Sequence, residues 1–269
     1  MHYRHAYHAG NFADVFKHLL LVGLLTALSR KDKPWCFLDT HAGAGRYDLG
    51  GEGATRTGEW RDGIGRLSGA DQTPSLVADY LRIATAVPGH YPGSSLFALA
   101  LARPGDRLVL CEKVPAVAEQ LKQALRGDSR TAVHLRDGYE AAALLPPAEK
   151  RGLVLIDPPF ERVDEFEAMG NLIAKAAARF AGGVYAAWYP LKNRHAAGRL
   201  ARGAARETGK PVLSLELDNG EPAAGQMHAC GLLVVNPPFG FEPLAREALA
   251  WLAPRLAQGP KASFAIAPL

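Results

Sequence analysis

Short apolar runs alternate with helical patterns along most of the chain. The clearest run, residues 152–156, is rich in leucine, valine and isoleucine and is bounded by glycine and proline, which is typical of a strand buried on both faces of a parallel sheet. Comparable runs predict six further strands, at 34–40, 106–112, 131–135, 183–188, 211–217 and 231–235. Helical patterns fill the intervals, at 95–102, 115–125, 164–180, the 190s to 200s and 241–255. This alternation predicts an α/β fold with a mostly parallel sheet.

The first helical segment precedes these strands and is unusually apolar. Its run from Leu19 to Leu28 has the outline of a signal peptide, but about ten residues are too few to span a bilayer, and charged residues lie directly before the run. We therefore predict a buried helix that ends near Ser29 and is capped by Asn11 or Asp14.

Between residues 46 and 91 the strand pattern disappears. This stretch is rich in glycine and then turns into a helical pattern from Leu76 to Ala84. It predicts a small helical insertion, 46–91, in a main domain formed by residues 1–45 and 92–269. The insertion is interpreted either as a lid or substrate-facing surface or as a plain spacer. Directly after it, Ser94 is predicted to cap the helix at 95–102.

Composition narrows the class only slightly. The 269 residues are 48% hydrophobic and 22% charged, which is ordinary for a globular protein. A formal net charge of +4 permits a polyanionic partner without requiring one. The three cysteines, Cys36, Cys111 and Cys230, each lie in an apolar run and have no CxxC spacing. We expect them to be buried and reduced, which fits a cytoplasmic protein.

The strand at 152–156 ends on Asp157, followed by Pro158, Pro159 and Phe160. Ligands of open α/β sheets bind at the carboxyl ends of the strands, so Asp157 and Phe160 are predicted to project into a binding site. The carboxylate and the first proline carbonyl can accept both hydrogens of a planar amine, while the aromatic ring stacks on a base. This pattern resembles the amine-methylating motif of S-adenosylmethionine (SAM) methyltransferases. The alternative is a strand followed by an ordinary Pro-Pro turn.

Acidic residues and glycines also follow other predicted strands. Asp39 begins an acidic-x-x-x-Gly43-x-Gly45 loop, and because no Lys-Ser/Thr pair follows it, a P-loop is excluded. The loop resembles the SAM-binding loop of class I methyltransferases, and the alternative is an ordinary turn between a strand and a helix. Glu112 ends the second strand, where an acid accepts hydrogen bonds from ribose hydroxyls in Rossmann-like folds. Asp137 follows the third strand and can reach a cofactor adenine.

A second segment, Asn236-Pro-Pro-Phe239, also fits the amine motif. In a seven-stranded methyltransferase sheet the final strand is antiparallel to the others, so its carboxyl end lies at the edge opposite the cofactor. We therefore predict that Asp157 marks the methylation site and that Asn236 points away from it.

The first ten residues combine histidines with aromatic side chains. His2, His5 and His8 are spaced by three, but no carboxylate or cysteine partner at ligand spacing accompanies them, so we expect no metal site. Basic and aromatic side chains on a short arm suit stacking on single-stranded nucleic acid. The alternative is a segment that only packs on the surface.

Taken together, several blocks resemble the bacterial RlmJ family, whose members methylate N6 of one adenine in 23S ribosomal RNA. The resemblance runs nearly end to end and implies a Rossmann-like class I methyltransferase with a seven-stranded, mostly parallel sheet and a small helical subdomain. The matching blocks are Tyr3-Arg-His-x-x-His8-Ala-Gly-Asn-x-Ala-Asp14-Val-x-Lys17-His18, Leu38-Asp-Thr-His-Ala-Gly-Ala-Gly-Arg-Tyr47, Tyr91-Pro-Gly-Ser94, Leu155-Ile-Asp-Pro-Pro-Phe160 and Trp188-Tyr-Pro190.

The resemblance also implies roles for individual residues. Asp157, Pro158 and Phe160 are the expected catalytic group, with Phe160 replacing the tyrosine common in relatives. Tyr3 and Lys17, together with Phe160, are expected on the substrate RNA side. The expected SAM-binding residues are His18, His41, Gly43, Ser94, Glu112, Asp137, Gly138 and Asp157.

The sequence thus predicts a SAM-dependent enzyme that methylates N6 of an unstacked adenine. The expected partner is 23S rRNA, either free of protein or at an early stage of assembly, and the enzyme is expected to be a cytoplasmic monomer without a membrane partner. Two alternatives stay open: a DNA adenine-N6 methyltransferase and a non-catalytic RNA-binding protein on the same fold. A nicotinamide oxidoreductase is disfavoured because the glycine loop lacks GxGxxG.

Overall fold

A central eight-stranded sheet organises the protein, and a two-stranded sheet lies beside it. The computed structural model describes residues 5–220 and 227–269. The main sheet has the order β10-β8-β9-β7-β6-β1-β4-β5, and the small sheet pairs β2 with β3. The strands are β1 (Cys36–Asp39), β2 (Arg46–Asp48), β3 (His90–Pro92), β4 (Arg107–Glu112), β5 (Thr131–Leu135), β6 (Gly152–Ile156), β7 (Val184–Pro190), β8 (Val212–Asp218), β9 (Ala229–Val235) and β10 (Ser263–Pro268).

Strand direction divides the main sheet into two parts. β5, β4, β1, β6 and β7 are mutually parallel. β9 is inserted antiparallel between β7 and β8, with Val235 opposite Tyr185 on one side and Val212 on the other. The prediction that the strand at 231–235 is antiparallel is therefore confirmed. All five residues of β6 are buried, as expected for a strand covered on both faces.

The predicted number of seven strands is wrong, because β10 pairs antiparallel with β8 and adds an eighth. β10 was missed because its residues are small or exposed, and only Phe264 and Ile266 pack against the core. A short edge strand with one covered face carries little hydrophobic signal.

Helices cover both faces of the sheet. The α-helices are α1 (Phe12–Ser29), α2 (Glu52–Thr57), α3 (Ser75–Ala84), α4 (Ser94–Leu101), α5 (Pro115–Ala124), α6 (Glu165–Arg179), α7 (Arg194–Thr208) and α8 (Phe241–Leu256). Four 3-10 helices of the described residues lie at His5–Tyr7, Glu59–Asp62, Ile64–Leu67 and Gly138–Leu144. Helices α1, α3, α4 and α8 pack on one face of the sheet, and α6, α7 and the 3-10 helix at Gly138–Leu144 pack on the other.

The first helix is a core element. By length and composition alone α1 could cross a membrane, yet 89% of its apolar window is buried inside the protein, where it contacts α3, α4 and α8. The Asn11 side chain caps it by accepting hydrogen bonds from the backbone N–H groups of Ala13 and Asp14, both at 3.0 Å. Full burial of each leucine here stabilises the fold by about 1.5–3 kcal/mol. The predicted buried first helix is confirmed.

The stretch between residues 46 and 91 is mostly helical, as predicted, but the expectation that it lacks strands is wrong. β2 and β3 pair antiparallel at its two ends, with Tyr47 opposite Tyr91. Each strand has only three residues, which is too short to produce an alternating pattern. From α3, Val77 and Tyr80 are fully buried in the same apolar cluster as α1. Residues of this stretch therefore help to cover the apolar first helix, while its expected role as a separate insertion stays a prediction.

The three cysteines are free and buried, as expected. The predicted cap of α4 is wrong: Gly93 occupies the cap position, and Ser94 is the first residue of the helix. The Ser94 hydroxyl instead donates to Asp39 Oδ2 at 2.5 Å. This contact ties the start of α4 to the end of β1.

Candidate active site

The acidic residues predicted at strand ends meet at one edge of the sheet. Asp39 at the end of β1 pairs in register with Leu110 of β4 and Leu155 of β6. Glu112 pairs with the last residue of β5, and Asp157 directly follows β6. This carboxyl edge, which we call the active edge, therefore collects four carboxylates from neighbouring parallel strands, at Asp39, Glu112, Asp137 and Asp157.

The glycine loop after β1 is held against Glu112. The Gly43 N–H donates to Glu112 Oε2 at 3.2 Å, and the Val114 N–H donates to Oε1 at 2.8 Å. Gly43 has φ +62°, and a Cβ there would lie 2.3 Å from the Tyr47 hydroxyl oxygen. The loop therefore requires glycine at position 43. The Glu112 carboxylate is held at the loop, and each of its oxygens can still accept a further hydrogen bond.

A second close approach forms where β5 leads into the 3-10 helix. Asp137 caps that helix through a 3.0 Å hydrogen bond from the Tyr139 N–H. A Cβ on Gly138 would lie 2.0 Å from the Thr40 carbonyl oxygen, so only glycine fits between the strand ends. His41 packs edge-on against Tyr139 at 5.3 Å between ring centroids, and burial lowers the pKa of His41 to about 4. This histidine is consequently neutral at pH 7.

Asp39 is fully buried beneath the glycine loop. Its Oδ2 accepts from Ser94, and its Oδ1 accepts from the His41 N–H at 3.1 Å. Burial raises the pKa of Asp39 to about 7, against the opposing effect of the Ser94 hydrogen bond, and the nearby Asp157 carboxylate raises it further. Asp39 thus titrates close to neutral pH, unlike an exposed aspartate.

Asp157 forms an ion pair with a buried lysine from α1. Lys17 Nζ lies 2.6 Å from Asp157 Oδ2 and 2.9 Å from Asp14 Oδ1, and its side chain is only 5% exposed. Burial alone would lower the pKa of Lys17, but the two carboxylates outweigh it and raise that pKa well above its usual value. Burial likewise opposes ionisation of Asp14, yet His5 and Lys17 hold its pKa well below its usual value. The three groups form a charged network under the Pro-Pro-Phe segment.

An aromatic cluster lies next to Asp157. The Phe160 ring meets Phe166 at 5.4 Å and Trp188 at 5.9 Å, both edge-on. Ala187 pairs with Ile156, so the next residue, Trp188, lies beside Asp157. Lys17 Nζ is 5.8 Å from the centroid of the Trp188 ring. Phe160 has φ +53°, a left-handed conformation that costs a non-glycine residue about 1–2 kcal/mol.

One predicted site residue, His18, lies apart from the active edge and the aromatic cluster, and another, Tyr3, is not described by the structure. His18 is 1% exposed, contacts the Tyr91 hydroxyl at 3.0 Å and stacks on Phe97 at 4.8 Å, so its expected cofactor contact stays a prediction. Tyr3 lies outside the described residues, and its expected RNA contact also stays a prediction. The described part of the N-terminal arm contacts α1 through His5, which lies 3.0 Å from Asp14.

The second Pro-Pro-Phe segment lies at the opposite edge. Val235 pairs with residues at the amino ends of β7 and β8, so Asn236 emerges away from Asp157. Its side-chain amide donates to the Gly183 carbonyl at 2.9 Å. The predicted position of Asn236 is confirmed.

Sequence reasoning missed that Asp14 and Trp188 belong to this network. Asp14 and Lys17 are charged residues three apart in a helix that is otherwise apolar, and such a pair must be neutralised when the helix is buried. That spacing was the available signal for Asp14. For Trp188, the signal was its position at the end of the strand that neighbours β6.

Comparison with known proteins identifies the family. The family model described as "Ribosomal RNA large subunit methyltransferase D, RlmJ" matches residues 32–266. Two proteins named ribosomal RNA large subunit methyltransferase J are similar: the Escherichia coli (strain K12) protein is 39% identical over 264 residues and the Haemophilus influenzae one is 37% identical over 263. Each alignment covers 94% of this chain and 93% of the relative.

A crystal structure of a Legionella pneumophila protein superposes with a TM-score of 0.88 at 35% identity, covering 97% of this chain and 98% of that one. The shared fold and the sequence matches agree over nearly the whole length. This chain therefore belongs to the RlmJ family of SAM-dependent ribosomal RNA large subunit methyltransferases.

Proposed function

We propose that this protein transfers a methyl group from SAM to N6 of an unstacked adenine in 23S rRNA. The observation that carries the proposal is the position of Asp157: it follows a buried parallel strand at the active edge and is followed by a proline carbonyl and an aromatic ring. The choice of 23S rRNA as the substrate rests on the two relatives, which are named as methyltransferases of the large-subunit ribosomal RNA.

Asp157 and Pro158 have the acceptors that an adenine amine needs. Lys17 occupies Asp157 Oδ2, whereas Oδ1 accepts no hydrogen bond from any residue that the structure describes. In our proposal Oδ1 and the Pro158 carbonyl accept the two N6 hydrogens. The N6 lone pair is delocalised into the ring, so these acceptors favour the pyramidal, positively charged amine that develops during transfer.

Lys17 would act as a positioning residue at this site. Its ammonium is held by two carboxylates and stays protonated because its pKa is well above the usual value. A fixed cation on Oδ2 orients the Asp157 carboxylate, and the contact places Lys17 next to the predicted substrate position.

Phe160 supplies a stacking face for the base. Its ring is half-buried, and its neighbours Phe166 and Trp188 hold it edge-on rather than covering it by parallel stacking. Stacking of a base on an aromatic side chain contributes about 1–3 kcal/mol. A base reaches this face only after leaving its own stack, which suits a loop or helix junction in RNA.

The remaining strand ends fit the cofactor. Glu112 and Asp137 are carboxylate acceptors suited to the ribose hydroxyls and the adenine amine, respectively, and Gly43 and Gly138 lie where a side chain would collide with the protein. We propose that His41 and Ser94 complete this site. When bound, SAM supplies a methyl group already activated on a sulfonium, so the protein contributes mainly proximity and orientation.

The proposal is tested by incubating the protein with labelled SAM and one of three substrates: protein-free 23S rRNA, assembled large subunits or duplex DNA. We expect N6-methyladenosine in the protein-free RNA, identified by mass spectrometry of nucleosides, and none with Asp157→Ala. Modification of duplex DNA alone would favour a DNA adenine methyltransferase. Absence of transfer to every substrate, with SAM bound, would favour a non-catalytic RNA-binding protein.

A further inference from the structure

Helix α7 and its flanks account for the net positive charge of the protein. Residues 192–210 contain six cations and one carboxylate, a net charge of +5, whereas the whole chain carries +4. The remaining 250 residues therefore sum to −1. We call the six cations the α7 cationic face: Lys192, Arg194, Arg199, Arg202, Arg206 and Lys210.

This charge points away from the protein core. The opposite side of α7 is buried against α6 through Ala197, Leu200 and Ala201. Among the cations, Arg194 and Arg206 have side chains that are 65% and 75% exposed, and Arg199 and Arg202 are exposed as well. The helix is therefore amphipathic, with its apolar side used by the fold and its cationic side left to solvent.

Internal ion pairs neutralise only part of the face. Arg194 pairs with Glu216 at 2.9 Å and Arg206 with Glu207 at 3.0 Å. Arg199 and Arg202, at the centre of the face, contact no carboxylate in residues 5–220 and 227–269. Adjacent uncompensated cations repel each other, so the fold alone does not explain their placement.

The face begins at the active edge. α7 follows β7, whose residue Ala187 pairs with the last residue of β6, directly before Asp157. From Arg194 to Arg206 the helix extends about 18 Å from this edge. Gly203 lies on α7 between Arg202 and Arg206, and a side chain there would meet nothing within 4 Å. Glycine is unfavourable inside a helix, but it allows close approach of another molecule's backbone.

We propose that the α7 cationic face binds the phosphate backbone of the rRNA that flanks the target adenine. This inference rests on the proposed function, because it takes the base to be bound beside Asp157. RNA is favoured over a membrane surface because membrane-bound helices present bulky apolar residues next to their cations, whereas the apolar side of α7 is already buried. The face would determine how long an RNA fragment must be for full affinity.

The test compares two double variants that each lower the formal charge by two. Arg199→Gln/Arg202→Gln removes the unpaired centre of the face, and Lys122→Gln/Arg126→Gln removes two exposed cations on and after α5, near β5. Glutamine keeps a similar helix propensity, so both variants should fold. Binding to a long 23S rRNA fragment is measured over a range of salt concentrations, together with SAM affinity and single-turnover methylation.

We expect the α7 variant to bind the long fragment about tenfold more weakly near 0.15 M salt, with a salt slope shallower by about 1.4 to 1.8 for two lost phosphate contacts. The α5 variant should match the unmodified protein. With a short hairpin that contains little more than the target, all three proteins should bind alike. SAM affinity and the methylation rate at saturating RNA should not change.

An unchanged affinity and salt slope in the α7 variant would overturn the proposal, as would an equal loss in the α5 variant, which would indicate a general charge effect. Equal weakening on the short hairpin would place the arginines at the target itself and also overturn it. Loss of binding to phosphatidylserine vesicles with unchanged RNA binding would assign the face to membranes. The proposed function fails separately, if the unmodified protein methylates no RNA.

Discussion

Two segments of this chain carry a polar residue followed by Pro-Pro-Phe, and they lie at opposite edges of one sheet. Asp157 follows β6, which is parallel to its neighbours, whereas Asn236 follows β9, which is antiparallel to them. The two strands are separated only by β7. A local motif therefore acquires its surroundings from the direction of the strand that carries it.

The two segments differ in their side-chain contacts, in their exposure and in which residue has a left-handed backbone. Asp157 contacts a buried lysine, and Phe160 packs in an aromatic cluster. Asn236 makes two hydrogen bonds to backbone carbonyls, and Phe239 is 94% exposed. Each segment contains one residue in the left-handed region, at φ +53° for Phe160 and +57° for Asn236. Asparagine tolerates this conformation more readily than phenylalanine, so the segment that follows β6 is the more strained of the two.

The strongest test of this difference exchanges the polar residue for alanine in each segment. Asp157→Ala should lower single-turnover methylation by at least 10²–10³-fold, because loss of one transition-state contact of this kind costs about 2.7–4 kcal/mol. Asn236→Ala should retain a normal rate. A dead Asn236→Ala variant with normal SAM affinity would show that strand direction does not decide which segment is catalytic.

The two ends of a single strand provide the next test. Glu112, at the carboxyl end of β4, is proposed to hold the SAM ribose. At the amino end of β4, Arg107 forms an ion pair with Glu149, with 3.0 Å between Arg107 Nε and Glu149 Oε1. Glu112→Ala should weaken SAM binding about tenfold to a hundredfold, for a loss of roughly 1.5–3 kcal/mol. Glu149→Ala should leave it unchanged. Calorimetry measures the SAM affinity of each variant. If Glu112→Ala binds SAM as tightly as Glu149→Ala, Glu112 does not belong to the cofactor site.

The two phenylalanines can be compared in the same way. Phe160→Ala should lower kcat/KM for RNA about fivefold to 150-fold, since loss of base stacking costs about 1–3 kcal/mol. Phe160→Tyr keeps the stacking face and should stay near the unmodified rate. Phe239→Ala removes an exposed ring and should have no effect. These values are measured by steady-state kinetics with RNA. Equal kcat/KM values for Phe160→Ala and Phe239→Ala would exclude the stacking role of Phe160.

Titration distinguishes the active edge from the opposite edge. The pKa of Asp39 is about 7 in the folded protein and near 3.8 when unfolded, so the folded state binds more protons between these values. Stability contributed by this group is therefore greatest at low pH and falls as pH rises from about 4 to 7, by roughly 1.4 kcal/mol per unit. Urea unfolding at several pH values should show this slope reduced in Asp39→Asn and kept in Asn236→Ala. An identical slope in all three proteins would contradict the buried, protonated Asp39.

The smallest expected effect concerns the structural role of Asn236. Asn236→Ala loses a hydrogen bond to Gly183 and places alanine at φ +57°, so the free energy of unfolding should fall by about 1–2 kcal/mol. Asn236→Gly, which accepts this φ, should lose less. Thermal denaturation compares them, and a larger loss in the glycine variant would exclude backbone strain as the cause.

Local pattern was sufficient where an element is long or buried. The run at 152–156, the apolar first helix and the acids at the strand ends are all visible in the sequence, because burial requires contiguous or periodic apolar residues. β10, β2 and β3 were not visible. They are short or exposed strands whose hydrogen bonds form with partners distant in sequence.

What the sequence determined by itself is the alternation of strands and helices and the set of residues able to hold a cofactor and an amine. Tertiary structure alone decided which groups meet: Lys17 is 140 residues from Asp157, and Ser94 is 55 from Asp39. The placement of the two Pro-Pro-Phe segments was predicted only because the resemblance to methyltransferase sheets supplied the direction of the final strand, and the structure shows this strand as β9, antiparallel between β7 and β8. Strand direction follows from the packing of the whole sheet and its helices, and no short stretch of sequence records it.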